Sequence, residues 1–368
     1  MATPETATAP IAFEHLPHPA PVAADVRAQI LANPGFGTAF SDHMVQITYD
    51  EGKGWHSATV MPYGPIPLDP AAAVLHYAQE IFEGLKAYRL ADGGIALFRP
   101  EANAARFNAS AQRLAMPTMP ESLFVQAVEE LVKADKDWFP TVEGGSLYLR
   151  PFMFASEAFL GVRPSKQYRF LVIASPAGNY FKSGAPAVSL WVSDYSRAAP
   201  GGTGAAKCGG NYAASLVPTA EAFARGHDQV LFLDAVERQW IEELGGMNLF
   251  FVFDDGSLVT PPLGGTILPG ITRASLIKLA QEEGLTVREE RYSLAQWQAD
   301  ATSGKLTETF ACGTAAVVTP VGKVTSTHDS FTIGSGGPGQ LTQKLRQRLV
   351  SIQRGEAADT HGWVHRIG

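Results

Sequence analysis

The chain has 368 residues, of which 45% are hydrophobic and 18% are charged, a composition typical of a soluble globular protein. Domains usually contain about 100–200 residues, so this length predicts two of them. Lys and Arg total 29 against 36 Asp and Glu, for a formal charge of −7, and no basic cluster stands out. The charge balance argues against nucleic acids and anionic membranes as partners.

The cysteine content and the first residues of the chain indicate the cellular compartment of the protein. Cys208 and Cys312 cannot form a disulfide framework and fit a reducing compartment. No apolar run approaches the roughly 20 residues that span a bilayer. The first segment is rich in Ala, Pro and Thr and lacks the basic start and apolar core of a signal peptide. We therefore expect residues 1–35 to form an N-terminal arm and the protein to be cytoplasmic.

The first half of the chain predicts hairpins mixed with helices. Alternating residues at 45–49, a break at 50–54 and an extended run at 55–61 are typical of a hairpin. A strand at 146–154 would place Tyr148 and Arg150 on one face, because strand side chains alternate. The remaining predictions are helices near 71–80, from Pro100 onward and at 121–134, a hairpin at 87–99 and a buried strand at 168–174.

The second half predicts more elements of both kinds. A Gly/Pro/Ser-rich stretch at 175–186 is typical of an interdomain linker. The mixture of hairpins and helices favours two α+β domains over alternating βαβ units. Predicted beyond the linker are strands near 188–192, 229–233, 248–253 and 310–320, and helices near 215–225 and 272–283.

Lys207 is the only charged residue between Arg197 and Glu221, and it lies among small residues and glycine pairs. Glycine lets a backbone bend closely around a ligand. An amine held away from water loses affinity for its proton and becomes a nucleophile able to form a Schiff base. An ordinary lysine in a glycine-rich loop is the alternative, and Lys207 by itself does not exclude it.

Three further segments are candidates for a site. Glu243 directly precedes Gly-Gly and an apolar strand, so if it points inward its charge needs a partner. The sequence Gly270-Ile271-Thr272 opens a helix whose free N–H groups suit a phosphate. Small residues around Thr314 would let an anion approach backbone amides. The alternative for Glu243 is an exposed loop glutamate. For the segment at Gly270 it is a capped helix, and for the segment at Thr314 it is a β-bulge. The histidines and cysteines show no metal-ligand spacing.

At these residues the sequence resembles the branched-chain amino acid aminotransferases, which are fold-type IV enzymes that use pyridoxal 5′-phosphate (PLP). The resemblance runs from about residue 36 to 355. Its motifs are Phe36-Gly37-Thr38-x-Phe40-x-Asp42-His43-Met44, Phe82-Glu83-Gly84-Leu85-Lys86-Ala87, Phe98-Arg99-Pro100, Ser146-Leu147-Tyr148-x-Arg150-Pro151, Lys207-x-Gly209-Gly210-Asn211-Tyr212 and Leu268-Pro269-Gly270-x-Thr272-Arg273.

The resemblance implies a two-domain α+β fold similar to that of D-amino acid aminotransferase, with PLP between the domains. We expect a small domain at 36–176, a linker at 177–187 and a large PLP-binding domain at 188–368. Lys207 would be the catalytic residue, bound to PLP as a Schiff base and carrying a proton from the substrate Cα to the cofactor. Glu243 would pair with the pyridine nitrogen and Tyr212 with the phenolic oxygen. The phosphate would be held by Arg106, Ile271, Thr272 and Thr314.

The implied reaction is ping-pong transfer of the amino group of L-leucine, L-isoleucine or L-valine to 2-oxoglutarate, giving branched 2-oxo acids and L-glutamate. An apolar wall would come from Phe40, Tyr77, Phe82, Tyr180 and Met247. Arg150, beside Tyr148, would bind the distal carboxylate of glutamate, and the amides of Thr314 and Ala315 the carboxylate common to both substrates. One methylene is worth only about 1–3 kcal/mol in such a pocket, so all three amino acids should react.

The resemblance also implies a homodimer with sites completed by the neighbour. Mammalian members carry a Cys-x-x-Cys pair where this chain has Ala316-Val317-Val318-Thr319, so no thiol switch is expected. The competing interpretations are a D-amino acid aminotransferase, a 4-amino-4-deoxychorismate lyase and a non-catalytic PLP-binding protein. The Tyr148 and Arg150 strand argues against the first two, and the set of Lys207, Tyr212, Glu243 and Arg106 argues against the third.

Overall fold

The computed structural model describes residues 11–178 and 187–368 and divides into two compact units. The described part of the first unit consists of residues 11–87 and 104–178 with Ile367. That of the second consists of residues 88–103 and 187–366 with Gly368. Most of the expected linker at 177–187 lies outside the described residues, and the expected domain boundaries stay a prediction.

The described helices are α1 (Ala24–Ala32), α2 (Ala73–Tyr77), α3 (Pro100–Arg113), α4 (Glu121–Ala134), a 3-10 turn (Lys136–Trp138), α5 (Gly209–Ala213), α6 (Leu216–Ala224), α7 (Ile271–Glu282), α8 (Leu294–Ser303) and α9 (Gln340–Gln353). The strands of the first half are β1 (Glu14–His15), β2 (His43–Asp50), β3 (Gly54–Pro62), β4 (Glu80–Phe82), β5 (Leu85–Arg89), β6 (Ile95–Phe98), β7 (Ser146–Ala155) and β8 (Gln167–Ala177).

The remaining strands are β9 (Val188–Val192), β10 (Gln229–Leu233), β11 (Ile241–Leu244), β12 (Asn248–Phe253), β13 (Leu258–Thr260), β14 (Val287–Glu289), β15 (Leu306–Gly313), β16 (Val317–Thr325), β17 (Ser330–Thr332) and β18 (Val364–Ile367).

A sheet in the order β1-β3-β2-β8-β7 forms the body of the first unit, and β4 and the first residues of β5 pair with β7. The predicted hairpin at 45–61 is the pair β2 and β3. Helix α4 packs its apolar stripe on this sheet, where Phe107, Phe124 and Phe170 cluster with ring centroids 5.3–5.8 Å apart. The tight pairing of β7 with β8 fixes which side chains of β7 share a face.

A second sheet, in the order β11-β10-β9-β16-β15-β12-β13-β14, forms the body of the second unit. One apolar cluster covers one side and includes Phe251 and Trp297, the latter from α8. A second apolar cluster, on the other side of the sheet, includes Phe250 and Phe310 and is covered by α7 and α9. Buried apolar residues on both faces explain why every residue of β12 is buried.

Two predicted elements differ from the structure. The predicted strand at 310–320 is two antiparallel strands, β15 and β16, that turn at 314–316. The turn is closed with Val317 at a φ of 62°, a left-handed conformation that a branched residue rarely adopts. The predicted helix at 71–80 is the single turn α2, because Ala78 ends it in the left-handed conformation and β4 follows.

Candidate functional site

Lys207 and Tyr212 lie together in the second unit. Helix α5 begins two residues after Lys207, and this short turn brings the two side chains into contact. The Lys207 Nζ donates to the Tyr212 hydroxyl at 2.8 Å, and both side chains are partly buried. Upstream, a Cβ on Gly204 would lie 2.6 Å from the carbonyl oxygen of Thr266, so only glycine fits there. The glycine-rich sequence thus packs the lysine loop against a neighbouring segment.

Glu243 is buried on β11, with 3% of its surface exposed, and three donors surround its carboxylate. The Arg197 Nη2 is 2.5 Å from Oε1, the Leu268 N–H donates to Oε1 at 3.1 Å, and the Asn248 amide donates to Oε2 at 3.2 Å. Burial raises the pKa of Glu243 to about 7, while Arg197, the Leu268 N–H and Lys207 act in the opposite direction. Lys207 and Glu243 therefore interact electrostatically.

Helix α7 begins at Ile271, as the phosphate motif predicts, with Gly270 as its N-cap. No side chain caps this end, and first-turn N–H groups such as those of Ile271 and Thr272 have no acceptor within the helix. A Cβ on Gly270 would lie 2.0 Å from the Asn248 Oδ1. Glycine is therefore required here because Asn248, which also contacts Glu243, approaches the start of the helix so closely.

The turn between β15 and β16 contains Thr314 and Ala315, both partly buried. It lies next to Met247, since a Cβ on Gly313 would be 3.3 Å from the Met247 Cγ. Met247 itself is buried and belongs to an apolar cluster of the second unit. The predicted second-unit residues therefore form two neighbouring sets, one around Glu243 and one around this turn.

In the first unit, Arg106 on α3 forms a bidentate pair with Glu83. The Arg106 Nε is 2.7 Å from Oε1 of Glu83, and Nη2 is 2.8 Å from Oε2. The side chain of Glu83 is fully buried and that of Arg106 nearly so. Bidentate contacts hold a guanidinium in a fixed orientation. The carboxylate of Glu83 thus fixes the arginine that the sequence predicts to bind phosphate.

Arg150 lies on β7 between two aromatic rings of the first unit. Its guanidinium stacks 4.6 Å from the ring centroid of Phe82 and donates to the Tyr148 hydroxyl at 3.1 Å. No ion pair joins Arg150 to a carboxylate of the described residues, and its buried Nε lacks a hydrogen-bond partner among them. A Cβ on Gly84 would lie 2.1 Å from the Tyr148 oxygen, so glycine is required beside this pair.

The other predicted wall residues have different environments. Phe40 stacks on Tyr63 with ring centroids 5.0 Å apart. Tyr77 is 40% exposed and donates its hydroxyl to the Leu160 carbonyl. Tyr180 lies outside the described residues.

Sequence reasoning missed Arg197, Asn248 and the role of Glu83. Glu83 lies inside a quoted motif, and the Asn of Met247-Asn248 directly follows the Glu-Leu-Gly-Gly segment. Arg197 had one signal, since it is the charged residue that precedes Lys207 in the chain. The pairs Arg197 with Glu243, Arg106 with Glu83 and Asn248 with the Leu268 carbonyl could not be read from the sequence, because each joins segments about 20 or more residues apart.

Within the described ranges, no helix is long and apolar enough to cross a bilayer. Nor do three or more His, Cys, Asp or Glu residues of those ranges gather into a group that could hold a metal ion.

Comparison with known proteins gives consistent matches. The profile of the class IV aminotransferases matches residues 80–324. The branched-chain-amino-acid aminotransferase of Mycolicibacterium smegmatis is 57% identical over 97% of this chain and 99% of its own length. The Escherichia coli branched-chain amino acid aminotransferase superposes with a TM-score of 0.73 at 30% identity, over 88% of this chain and 100% of that one. The T.th. branched-chain amino acid aminotransferase complexed with N-(5′-phosphopyridoxyl)-L-glutamate has a TM-score of 0.71 at 30% identity, over 88% and 98%.

Proposed function

Because the chain belongs to the class IV aminotransferases, we propose that it is a branched-chain amino acid aminotransferase that uses pyridoxal 5′-phosphate. It transfers the amino group of L-leucine, L-isoleucine or L-valine to 2-oxoglutarate, giving branched 2-oxo acids and L-glutamate. The observation that carries this proposal is the Lys207 amine, hydrogen-bonded to Tyr212 and interacting electrostatically with the buried Glu243. The M. smegmatis relative, which matches nearly end to end, bears the same activity in its name.

The functional groups of the second unit fit this cofactor group by group. A lysine amine suits its aldehyde, a phenol its ring oxygen, and a buried carboxylate its ring nitrogen. The uncapped start of α7 suits its phosphate, because backbone N–H groups and the helix dipole favour an anion there. When bound, the cofactor supplies a ring that withdraws electrons from the substrate Cα.

Each residue then has a defined task. Lys207 would hold the cofactor covalently and accept the proton released from the substrate Cα. Tyr212 would orient the ring and Glu243 would keep the ring nitrogen protonated. The amides of Ile271 and Thr272, with Arg106 and Thr314, would bind the phosphate. A hydrogen bond to a charged group contributes roughly 1.5–3 kcal/mol, so this set would retain the cofactor while Lys207 is detached.

Substrate choice follows from the remaining residues. Arg150 is a cation with aromatic neighbours and no described carboxylate partner, so it suits the distal carboxylate of glutamate. Phe40, Tyr77, Phe82, Tyr180 and Met247 would contact the branched side chain. The amides of Thr314 and Ala315 would hold the carboxylate that both substrates share.

A transamination assay with 2-oxoglutarate tests the function. We expect L-leucine, L-isoleucine and L-valine each to yield L-glutamate, with kcat/KM values within about two orders of magnitude of one another because their side chains differ by about a methylene. The comparison substrates are D-alanine and 4-amino-4-deoxychorismate, and both are followed by the release of pyruvate, which transamination of the first and cleavage of the second each yield. A preference for either of them over L-leucine contradicts the proposal.

Borohydride reduction of the PLP-loaded enzyme followed by peptide mapping identifies the anchoring residue in the same preparation. We expect the reduced cofactor on Lys207, and no labelled peptide from the Lys207→Ala variant. A cofactor attached to another lysine would show that the catalytic residue is misassigned even if L-leucine reacts.

A further inference from the structure

Arg197 is a buried arginine that joins three segments of the second unit, and the aminotransferase mechanism described above gives it no task. Its residue surface is 7% exposed. Its Nη2 lies 2.5 Å from the Glu243 Oε1, 2.9 Å from the Gly204 carbonyl oxygen and 2.5 Å from that of Thr266. One nitrogen therefore contacts the glutamate, the Lys207 loop and the segment that leads to α7.

A second carboxylate, that of Glu242, is buried next to Glu243 on the same strand. Glu242 is 7% exposed and its Oε1 accepts a hydrogen bond from the Thr266 hydroxyl at 2.5 Å. Its Oε2 is buried without a hydrogen-bond partner in the described part of the chain. Arg197 therefore contacts Glu243 directly and is linked to Glu242 through Thr266, whose carbonyl it contacts and whose hydroxyl donates to Glu242.

A buried carboxylate is costly to ionise, and a cation nearby offsets that cost. Burial raises the pKa of Glu242. Burial also raises the pKa of Glu243, to about 7. Arg197 lowers both pKa values, and Lys207 also lowers that of Glu243. Glu242 raises the pKa of Glu243, and Asp234 raises that of Glu242. A change in one of these neighbours therefore shifts the pH at which Glu243 becomes charged.

We propose that Arg197 and Glu242 are opposed positioning residues that set the charge of Glu243. Arg197 holds the carboxylate ionised and in place, and Glu242 works against that ionisation. The inference rests on the proposed function, because an ionised Glu243 is the form that keeps the ring nitrogen of PLP protonated. It predicts effects of opposite sign from two neighbouring substitutions.

Titration of Glu243 in the cofactor-free protein tests this charge balance directly. With ¹³C-labelled glutamate carboxylates, the Glu243 signal is identified as the one that disappears in Glu243→Gln. Arg197→Met should raise the titration midpoint, by about 1–3 pH units for loss of an adjacent opposite charge. Glu242→Gln should lower it, because a negative neighbour is removed. Arg197→Lys keeps the charge and should recover at least half of the shift.

The loaded enzyme gives a second readout. The acid limb of the kcat/KM profile for L-leucine should move to higher pH in Arg197→Met and to lower pH in Glu242→Gln, as in the titration. The proposal is overturned if the Glu243 midpoint is the same in the unaltered protein, Arg197→Met and Glu242→Gln. It is also overturned if both variants shift the midpoint in the same direction.

Failure of the charge balance and failure of the proposed function can be told apart. Should Arg197→Met not fold, Glu242→Gln alone still decides the sign, since removing its charge requires no new buried volume. If the carboxylate shifts appear in the cofactor-free protein but L-leucine does not react, the charge balance stands and the proposed function fails.

Discussion

At the scale of single residues, Arg150 and Glu243 are charged side chains with opposite surroundings. Glu243 is a buried anion surrounded by donors, whereas Arg150 is a cation stacked on Phe82 with no described carboxylate beside it. A cation that is held by rings and a phenol is oriented without being neutralised. Under the proposed function, Arg150 would pair with a substrate carboxylate, and an apolar substrate would lie against the rings.

Arg150→Met should therefore separate the two substrates. The methionine keeps an unbranched apolar stem but removes the charge, worth roughly 1.5–3 kcal/mol in a hydrogen bond. We expect kcat/KM for L-glutamate to fall by about 10–150-fold and that for L-leucine by less than about threefold. Arg169→Met on β8 is the control, because the Arg169 guanidinium donates to the Pro67 carbonyl. Equal losses for both substrates would show that Arg150 only supports the fold.

At the scale of elements, the start of α7 depends on one close contact. Gly270 has no room for a Cβ, because the Asn248 Oδ1 would lie 2.0 Å away. Asn248 also donates to Glu243 and to the Leu268 carbonyl. Moving Asn248 would therefore disturb both the helix start and the glutamate.

Gly270→Ala should weaken both stability and cofactor binding. Overpacking a close contact usually costs about 1–3 kcal/mol. We expect a lower thermal midpoint for the cofactor-free protein and a dissociation constant for PLP, measured by fluorescence titration, that rises at least about tenfold. Gly264→Ala is the matched control, because a Cβ there meets nothing within 4 Å and its φ is not positive. Similar PLP affinities for the two variants would contradict a constrained helix start.

The same elements show how far sequence reasoning reaches. The β2 and β3 hairpin and α4 follow from local periodicity, so their predicted ranges lie within a few residues of the observed ones. The β15 and β16 turn was missed, because Thr314-Ala315-Ala316 contains no Gly, Pro or Asn to signal it. A motif indicated Lys207 and Tyr212, and the position of Glu243 before Gly-Gly indicated that residue. Its partner Arg197 was beyond reach, because the pair of Arg197 with Glu243 forms only through tertiary folding.

At the scale of the whole molecule, the resemblance to fold-type IV enzymes implies at least a dimer, and one surface of the first unit suits an interface. Residues 71–77, which include helix α2, are hydrogen-bonded to residues 156–163 through Ala73 N–H to Glu157 O and Phe159 N–H to Ala71 O, each 3.0 Å. These two segments expose large apolar side chains, namely Leu75 at 57%, Tyr77 at 40%, Leu160 at 71% and Val162 at 88%. An apolar group of this kind is typical of an interaction surface.

Val162→Asp should weaken the dimer if this surface is buried between two copies. Burying an unpaired carboxylate is strongly unfavourable, so the charge would favour separate chains. We expect sedimentation velocity at micromolar concentration to show a dimer of the 39.3 kDa chain for the unaltered protein and a shift toward monomer for the variant. Val236→Asp, at a valine of the second unit that is 72% exposed, serves as the control. A Val162→Asp protein that sediments as the unaltered one does would place the interface elsewhere, because a carboxylate buried between two copies would weaken their association.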